Sequence, residues 1–186
     1  MSGIAIVARE LTGWLYRHDR DLTGFIDGTE NPSLLEASTV ATVPDGPGAG
    51  SSVVLFQVWR HDTAAWESVG VYGQERAMGR TKEASIELAP EEMPASAHVA
   101  RTTVEVDGEE RRIFRRNVAY GGVTEHGTAF VGFARDRWRL DEMLRRMAGA
   151  TDRVRDALTH WLTPLTGAYY TVPAVEALAR FAPEND

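Results

Sequence analysis

The sequence predicts an α+β fold, and three observations predict it. Apolar, β-branched runs bounded by turn residues occur at Ser52–Trp59 (SVVLFQVW) and Phe130–Ala134 (FVGFA). Leu140, Met143, Leu144 and Met147 recur at helical spacing. Strand-like and helix-like segments are mixed along the chain without the regular strand-helix-strand alternation of a parallel sheet.

Taken in order, Asp21–Pro32 (DLTGFIDGTENP) is dense in Gly, Asp, Asn and Pro, which is turn chemistry rather than a regular element. Val43–Ser52 (VPDGPGAGSS) is the strongest linker signal, so the chain divides into an N-terminal arm, residues 1–50, and a main body, residues 51–186, within one structural unit. Ser52–Trp59 is apolar on both faces, as a buried central strand is. Asp62 can cap a helix running through Trp66, and Gln74–Met78 reads as a second short helix closed by Gly79. Two runs between Val99 and Arg116 meet at Asp107-Gly108, the strongest short-range hairpin signal. Phe130–Ala134 is another buried strand, Leu140–Met147 a helix, and Val154–Leu162 continues in helical style.

Composition excludes several functions. A net charge of -7 and a pI near 5.3 oppose binding to nucleic acid or an anionic membrane, because phosphate recognition needs a concentrated positive field. With no cysteine there is no thiolate nucleophile, iron–sulfur cluster or Cys-held metal. The leader MSGIAIVARELTGW lacks a basic start and a cleavage site, and no run of about 18 apolar residues occurs. The expected compartment is the cytoplasm.

The hairpin draws distant residues together. A two-residue loop at Asp107-Gly108 makes paired positions sum to 215, which sets Ala100 opposite Arg115 and His98 opposite Asn117. Arg115 and Asn117 also share a face, because strand side chains alternate. A neutral histidine, a fixed cation and an amide at one site suit a metal that reacts with a polar oxidant. Each has an ordinary reading as well: His98 as a surface or core residue, Arg115 as an edge-strand charge, Asn117 as a turn former. Asp27, bracketed by Gly24 and Gly28, reads as a turn; its spacing does not follow an EF-hand calcium loop.

Gly24-Phe25-Ile26-Asp27-Gly28 resembles the GxxDG motif of dye-decolorizing peroxidases, and the match continues through Thr29-Glu30-Asn31-Pro32. Gly79-Arg80-Thr81-Lys82, Ser96–Thr102 and Ile113–Asn117 resemble, in the same order, segments around the haem of the bacterial B-type members. The resemblance runs from about Leu11 to Phe181. It implies a ferredoxin-like antiparallel sheet with helices on one face, one half of a dimeric α+β barrel arrangement, holding haem b (iron protoporphyrin IX). His98 corresponds to the proximal iron ligand, and Asp27, Arg115 and Asn117 to the distal catalytic residues. Arg80 corresponds to a partner of a haem propionate, or is a surface cation beside Glu83. Gly28 and Thr29 fall in the cofactor-binding loop.

The implied activity is reduction of hydrogen peroxide with oxidation of dyes or other bulky aromatic donors. Surface aromatics, Trp59, Trp66, Trp138, Trp161 and Tyr120, are candidate electron relays or plain core residues. Family members are about twice this length, so the expected state is a homo-oligomer or a complex with a separate chain carrying the first half. His160 stands where an acidic partner of the proximal histidine is expected, or is simply a helix-end residue. A haem-binding or assembly subunit with little turnover is the alternative reading, and a haem-free structural remnant a third.

Overall fold

The structure, a computed structural model, describes residues 6–181; the reading of the leader's first residues lies outside them. In chain order the elements are β1 (Gly13–Trp14), α1 (Leu34–Ala41), β2 (Ser52–His61), α2 (Thr63–Ser68), α3 (Gly70–Met78), α4 (His98–Thr102), β3 (Glu105–Val106), β4 (Glu109–Glu110), β5 (Phe114–Gly121), β6 (His126–Ala134), α5 (Arg137–Met147), a 3-10 helix (Ala157–His160), β7 (Leu162–Val172) and α6 (Val175–Ala179). Five strands form one antiparallel sheet in the order β1-β5-β6-β2-β7, so the Ser52–Trp59 run is a flanked inner strand, as its two-sided apolarity requires. The architecture is a ferredoxin-like α+β fold, as the sequence leads one to expect. No helix of the described residues is long and apolar enough to cross a membrane.

Local chemistry sets the helix ends. The Asp62 carboxylate accepts from Ala65 N at 3.0 Å and starts α2. Gly79 closes α3 at φ +90°, and a Cβ there would lie 3.1 Å from Ala97 Cβ and 3.3 Å from Val99 Cβ, so glycine lets α3 approach the start of α4. Leu140 and Met143 of α5 pack with Leu55 of β2 and Ala134 of β6, and a second cluster joins Phe25, Trp66, Met78 and Leu158.

Two expectations fail. The hairpin exists, with Asp107 and Gly108 both at positive φ, and Glu105↔Glu110 and Val106↔Glu109 keep the sum of 215, but pairing stops there. β5 pairs with β6 and β1 instead, and His98–Thr102 is helical, so neither Ala100 and Arg115 nor His98 and Asn117 are strand partners. The helix is favoured because it buries Arg101 against Asp152 and the Arg146 carbonyl, a tertiary gain invisible to local pattern. Val154–Leu162 is not a continued helix: one 3-10 turn ends at His160 and β7 begins at Leu162. Pro164 sits in β7 beside the register shift at Val58/Trp59, an edge-strand position where a missing N–H is tolerated.

Candidate active site

One face of the sheet floors a cleft. Arg115 and Asn117 alternate onto the same face of β5, and register carries that face across Gly132 and Phe130 of β6 to Leu55 and Gln57 of β2. The cleft holds about 1000 Å³ of empty space, part of it open to solvent, with apolar walls that include Phe25, Met78, Val99, Met147 and Leu158. Asp27, Gly28, Thr29, Arg80, His98, Arg115 and Asn117 all line it. The sheet and the Asp21–Thr29 loop deliver most of them; His98 arrives on the first turn of α4 instead of along a strand.

His98 Nδ1 lies 2.7 Å from Asp156 Oδ2, and the fully buried Asp156 also accepts from Leu158 N through Oδ1 at 2.9 Å. An ionised carboxylate only accepts hydrogen bonds, so Nδ1 donates, and in the neutral ring this leaves the lone pair on Nε2, the tautomer of a metal-ligating imidazole. The acidic partner of His98 is therefore Asp156, four residues before the position expected from sequence. His160 is exposed and stacks edge-on against Trp161 at 5.9 Å. Asp156 opens the 3-10 helix as its cap, a signal the DALTH segment carries but which a continued helical reading hides.

Across the cleft lining, Asp27 is locked to β5. Its Oδ1 accepts from Asn117 Nδ2 at 2.7 Å and its Oδ2 from Asn117 N at 3.1 Å. Asn31, given no role from sequence, clamps the Arg115 backbone: its Nδ2 donates to Arg115 O at 2.7 Å and its Oδ1 accepts from Arg115 N at 2.9 Å. The Arg115 guanidinium makes no hydrogen bond or ion pair among the described residues. Burial pushes it below the ordinary arginine value, with Asp27 and Glu30 pulling the other way, yet it stays a cation.

Arg80 is buried and already paired: Nη2 reaches Glu30 Oε1 at 2.5 Å and Glu87 Oε2 at 3.2 Å, while Nη1 donates to Ser85 O at 2.8 Å. The surface reading beside Glu83 does not hold. Two further titratable groups line the cleft without having been singled out. Burial pushes the Asp21 carboxyl up to about 6, against two hydrogen bonds from Thr23. Burial, helped by His126, drives the His61 imidazole down to about 4, and its Nε2 lies 3.0 Å from Thr128 Oγ1.

No group of three or more His, Asp or Glu among the described residues is arranged to hold a metal ion. Among the residues lining the cleft, His98 is a side chain that could ligate a cofactor-borne metal, through Nε2. The apolar walls suit a large flat ring, and Arg80 and Arg115 supply cations for acidic substituents.

The model of the family described as Dyp-type peroxidase, C-terminal, matches residues 18–177. A dye-decolorizing peroxidase of Mycobacterium tuberculosis is 41% identical over 96% of this chain and 55% of its own length. A dye-decolorizing protein from V. cholerae superposes with a TM-score of 0.89 at 37% identity, covering 94% of this chain and 59% of that one. A variant of DypB from Rhodococcus jostii RHA1, solved in complex with heme, superposes with a TM-score of 0.88 at 37% identity over 92% and 57%. The chain spans about half the length of the curated relatives it matches. Since the matched segment takes in every residue lining the cleft, the chain belongs to the Dyp-type peroxidase family, through its C-terminal part.

Proposed function

We propose that this chain is the haem-binding part of a peroxidase that reduces hydrogen peroxide and oxidises dyes or other bulky aromatic donors, with haem b as cofactor. The observation that carries the reading is His98, proton-fixed by Asp156, in a cleft also lined by Asp27, Arg115 and Asn117. When bound, haem would be held through its iron by His98 and would supply the redox chemistry that reduces peroxide.

The residues around it divide the remaining work. Asp156 fixes the ring of His98 and raises its basicity. Asp27 takes a proton from one peroxide oxygen and returns it to the other. Arg115, unpaired and partly desolvated, stabilises negative charge on the departing oxygen. Asn117, whose amide donates to Asp27 Oδ1, orients that carboxylate. Gly28 and Thr29, which line the cleft, would border the cofactor, and Arg80 would hold one of its carboxylates in exchange for the Glu30 contact.

The reading as a low-turnover assembly subunit leaned on the chain's half length and on His160 as a weak proximal partner, and Asp156 removes the second ground. The experiment is dye oxidation by the haem-loaded protein, with peroxide, compared with free haemin. Turnover per haem well above free haemin is expected, and a rate no greater contradicts the proposal.

We also propose that the chain works in an assembly, as a homo-oligomer or with a chain carrying the other half of its relatives' length. Strand β7 lies at the sheet edge with Leu165, Tyr170 and Val172 exposed, an open hydrogen-bonding and apolar edge. Light scattering on the haem-loaded protein should give a mass above 20.5 kDa, and a fully active monomer contradicts it.

A further inference from the structure

We infer that Asn31 is a positioning residue for Arg115: its side-chain amide stands in for a strand along the edge of β5 and sets where the Arg115 guanidinium stands in the cleft. As a role in the proposed reaction, this rests on the peroxidase reading.

The two edges of β5 are covered differently. One runs along β6 from Phe114 to Gly121. On the other, β1 pairs with Ala119 and Tyr120 alone among the described residues. Backbone groups between Arg115 and Asn117 therefore need partners other than a strand. Side chains of one loop supply them. Asn31 Nδ2 donates to Arg115 O at 2.7 Å and Asn31 Oδ1 accepts from Arg115 N at 2.9 Å, the same pair of bonds that an opposing strand residue exchanges. Two residues on, Asn117 N donates to Asp27 Oδ2 at 3.1 Å. A carboxamide carries donor and acceptor in one plane, as a peptide group does, so it can pair with both backbone groups of Arg115 at once.

The loop is shaped to present that amide. Asn31 N donates to Gly28 O at 3.0 Å, which closes a turn over Gly28-Thr29-Glu30-Asn31. Gly28 has φ +76°, and a Cβ there would fall 2.8 Å from Asn31 Nδ2, so a larger residue would press the amide off the strand. Within the turn, Glu30 is paired with the buried Arg80, a second tether to the body of the fold.

Arg115 and Asn117 depend on this loop unequally. Asn117 is tied to Asp27 through its side chain as well as its backbone. The Arg115 guanidinium has no such tie among the described residues, so the place of its tip is set by its backbone and by the cleft walls. Asn31 holds that backbone on the side away from β6. The loop that carries the Asp27 carboxylate is thus the loop that anchors the cation, and the clamp fixes the two relative to each other. A cation that stabilises charge on a departing oxygen works only from a fixed place within reach of it. Asn31 acts on the reaction through Arg115, without touching the reacting atoms.

The test follows backbone amide exchange in the haem-free protein and the peroxide-dependent rate of the haem-loaded protein, in Asn31→Ala, Asn31→Asp and Arg115→Leu. The Arg115 amide should be protected in the wild type and lose about tenfold or more of that protection in Asn31→Ala. Arg116 and Val118, the intervening residues of the β5–β6 ladder, should keep theirs. The rate should fall roughly 10–100-fold, the scale of a misplacement of about 1 Å. In an Arg115→Leu background Asn31→Ala should lower it no further, because both act through one group. Asn31→Asp separates positioning from mere bulk, and keeps the test decisive where Asn31→Ala fails to fold. A protonated carboxyl can donate to Arg115 O and accept from Arg115 N, whereas an ionised one only accepts. Asp27 and Glu30 of the loop and Arg115 and Arg116 of β5 flank that position, two charges of each sign. Relative to the wild type at the same pH, Arg115 protection and rate in Asn31→Asp should both recover as pH falls from about 7 toward about 4. Undiminished Arg115 protection in these variants, additive rate losses in the double variant, or an Asn31→Asp to wild-type ratio that is flat with pH would overturn the inference. Exchange in the haem-free protein decides the clamp even where dye oxidation does not exceed that of free haemin, so failure of the peroxidase reading is seen separately.

Discussion

His98 Nδ1 and Asp156 Oδ2 stand 2.7 Å apart, and Asp156 also caps the 3-10 helix through Leu158 N. The group that orients the imidazole is thus fixed by the backbone it terminates. Asp156→Asn keeps an acceptor for that cap but replaces the anion facing His98. Haemin affinity should fall roughly 10–100-fold, the usual cost of altering the partner of a metal-ligating histidine. His160→Ala should leave it unchanged. A spectrophotometric haemin titration of both variants checks this, and equal effects would return His160 to the site.

Arg115→Leu separates catalysis from stability. Losing a donor aimed at developing negative charge should lower the peroxide-dependent rate by about 10²–10³-fold, or roughly 3–4 kcal/mol. The haem-free protein should unfold at an equal or higher urea concentration, because the substitution removes a partly desolvated, unpaired cation. Destabilisation together with a normal peroxide rate would show that Arg115 is structural.

Glu30→Gln should release Arg80 from its shortest ion pair, leaving Glu87 and the Ser85 carbonyl. If Arg80 receives a cofactor carboxylate by exchange, haemin binding should tighten several-fold, on the scale of a partly exposed ion pair. Unchanged or weaker binding in the same titration would place the cofactor's carboxylates elsewhere.

Asp21 and His61 oppose one another in the pH dependence of stability. Asp21 titrates at about 6 in the fold and 3.8 when unfolded, so between these values the folded state holds the extra proton and stability falls as pH rises. His61 titrates at about 4 in the fold and 6.5 unfolded, so there the unfolded state holds the extra proton and stability falls as pH drops. Each contributes on the order of 1–3 kcal/mol. In urea unfolding of the haem-free protein, Asp21→Asn should gain stability at pH 7 and lose it more steeply toward pH 4. His61→Gln should flatten the acid side. Parallel profiles for both variants and the wild type would contradict these assignments.

Much of this arrangement was legible in the sequence, and the parts that were not have specific causes. The inner strand β2 follows from its apolar run, α2 and α3 from Asp62 and Gly79, and the shared face of Arg115 and Asn117 from strand alternation. Asp107-Gly108 is a real turn signal and points His98 to a hairpin; nothing local shows that the ladder stops after two pairs. The helix that carries His98 depends on Arg101 finding Asp152 and the Arg146 carbonyl some 45–51 residues away. Pro164 and Gly167 interrupt the pattern of β7 and hide it in the sequence, and an edge strand tolerates both. Asn31 lay within a recognised motif, but its grip on the Arg115 backbone spans 84 residues.

The central claim is that His98 is the haem ligand, and haemin titration of wild type and His98→Ala, followed by absorbance, tests it most directly. The wild type should bind one haemin per chain with a sharp Soret band. His98→Ala should keep its far-ultraviolet circular dichroism, lose that band, and regain it when free imidazole is added. A Soret band and affinity in His98→Ala equal to those of the wild type would contradict the account.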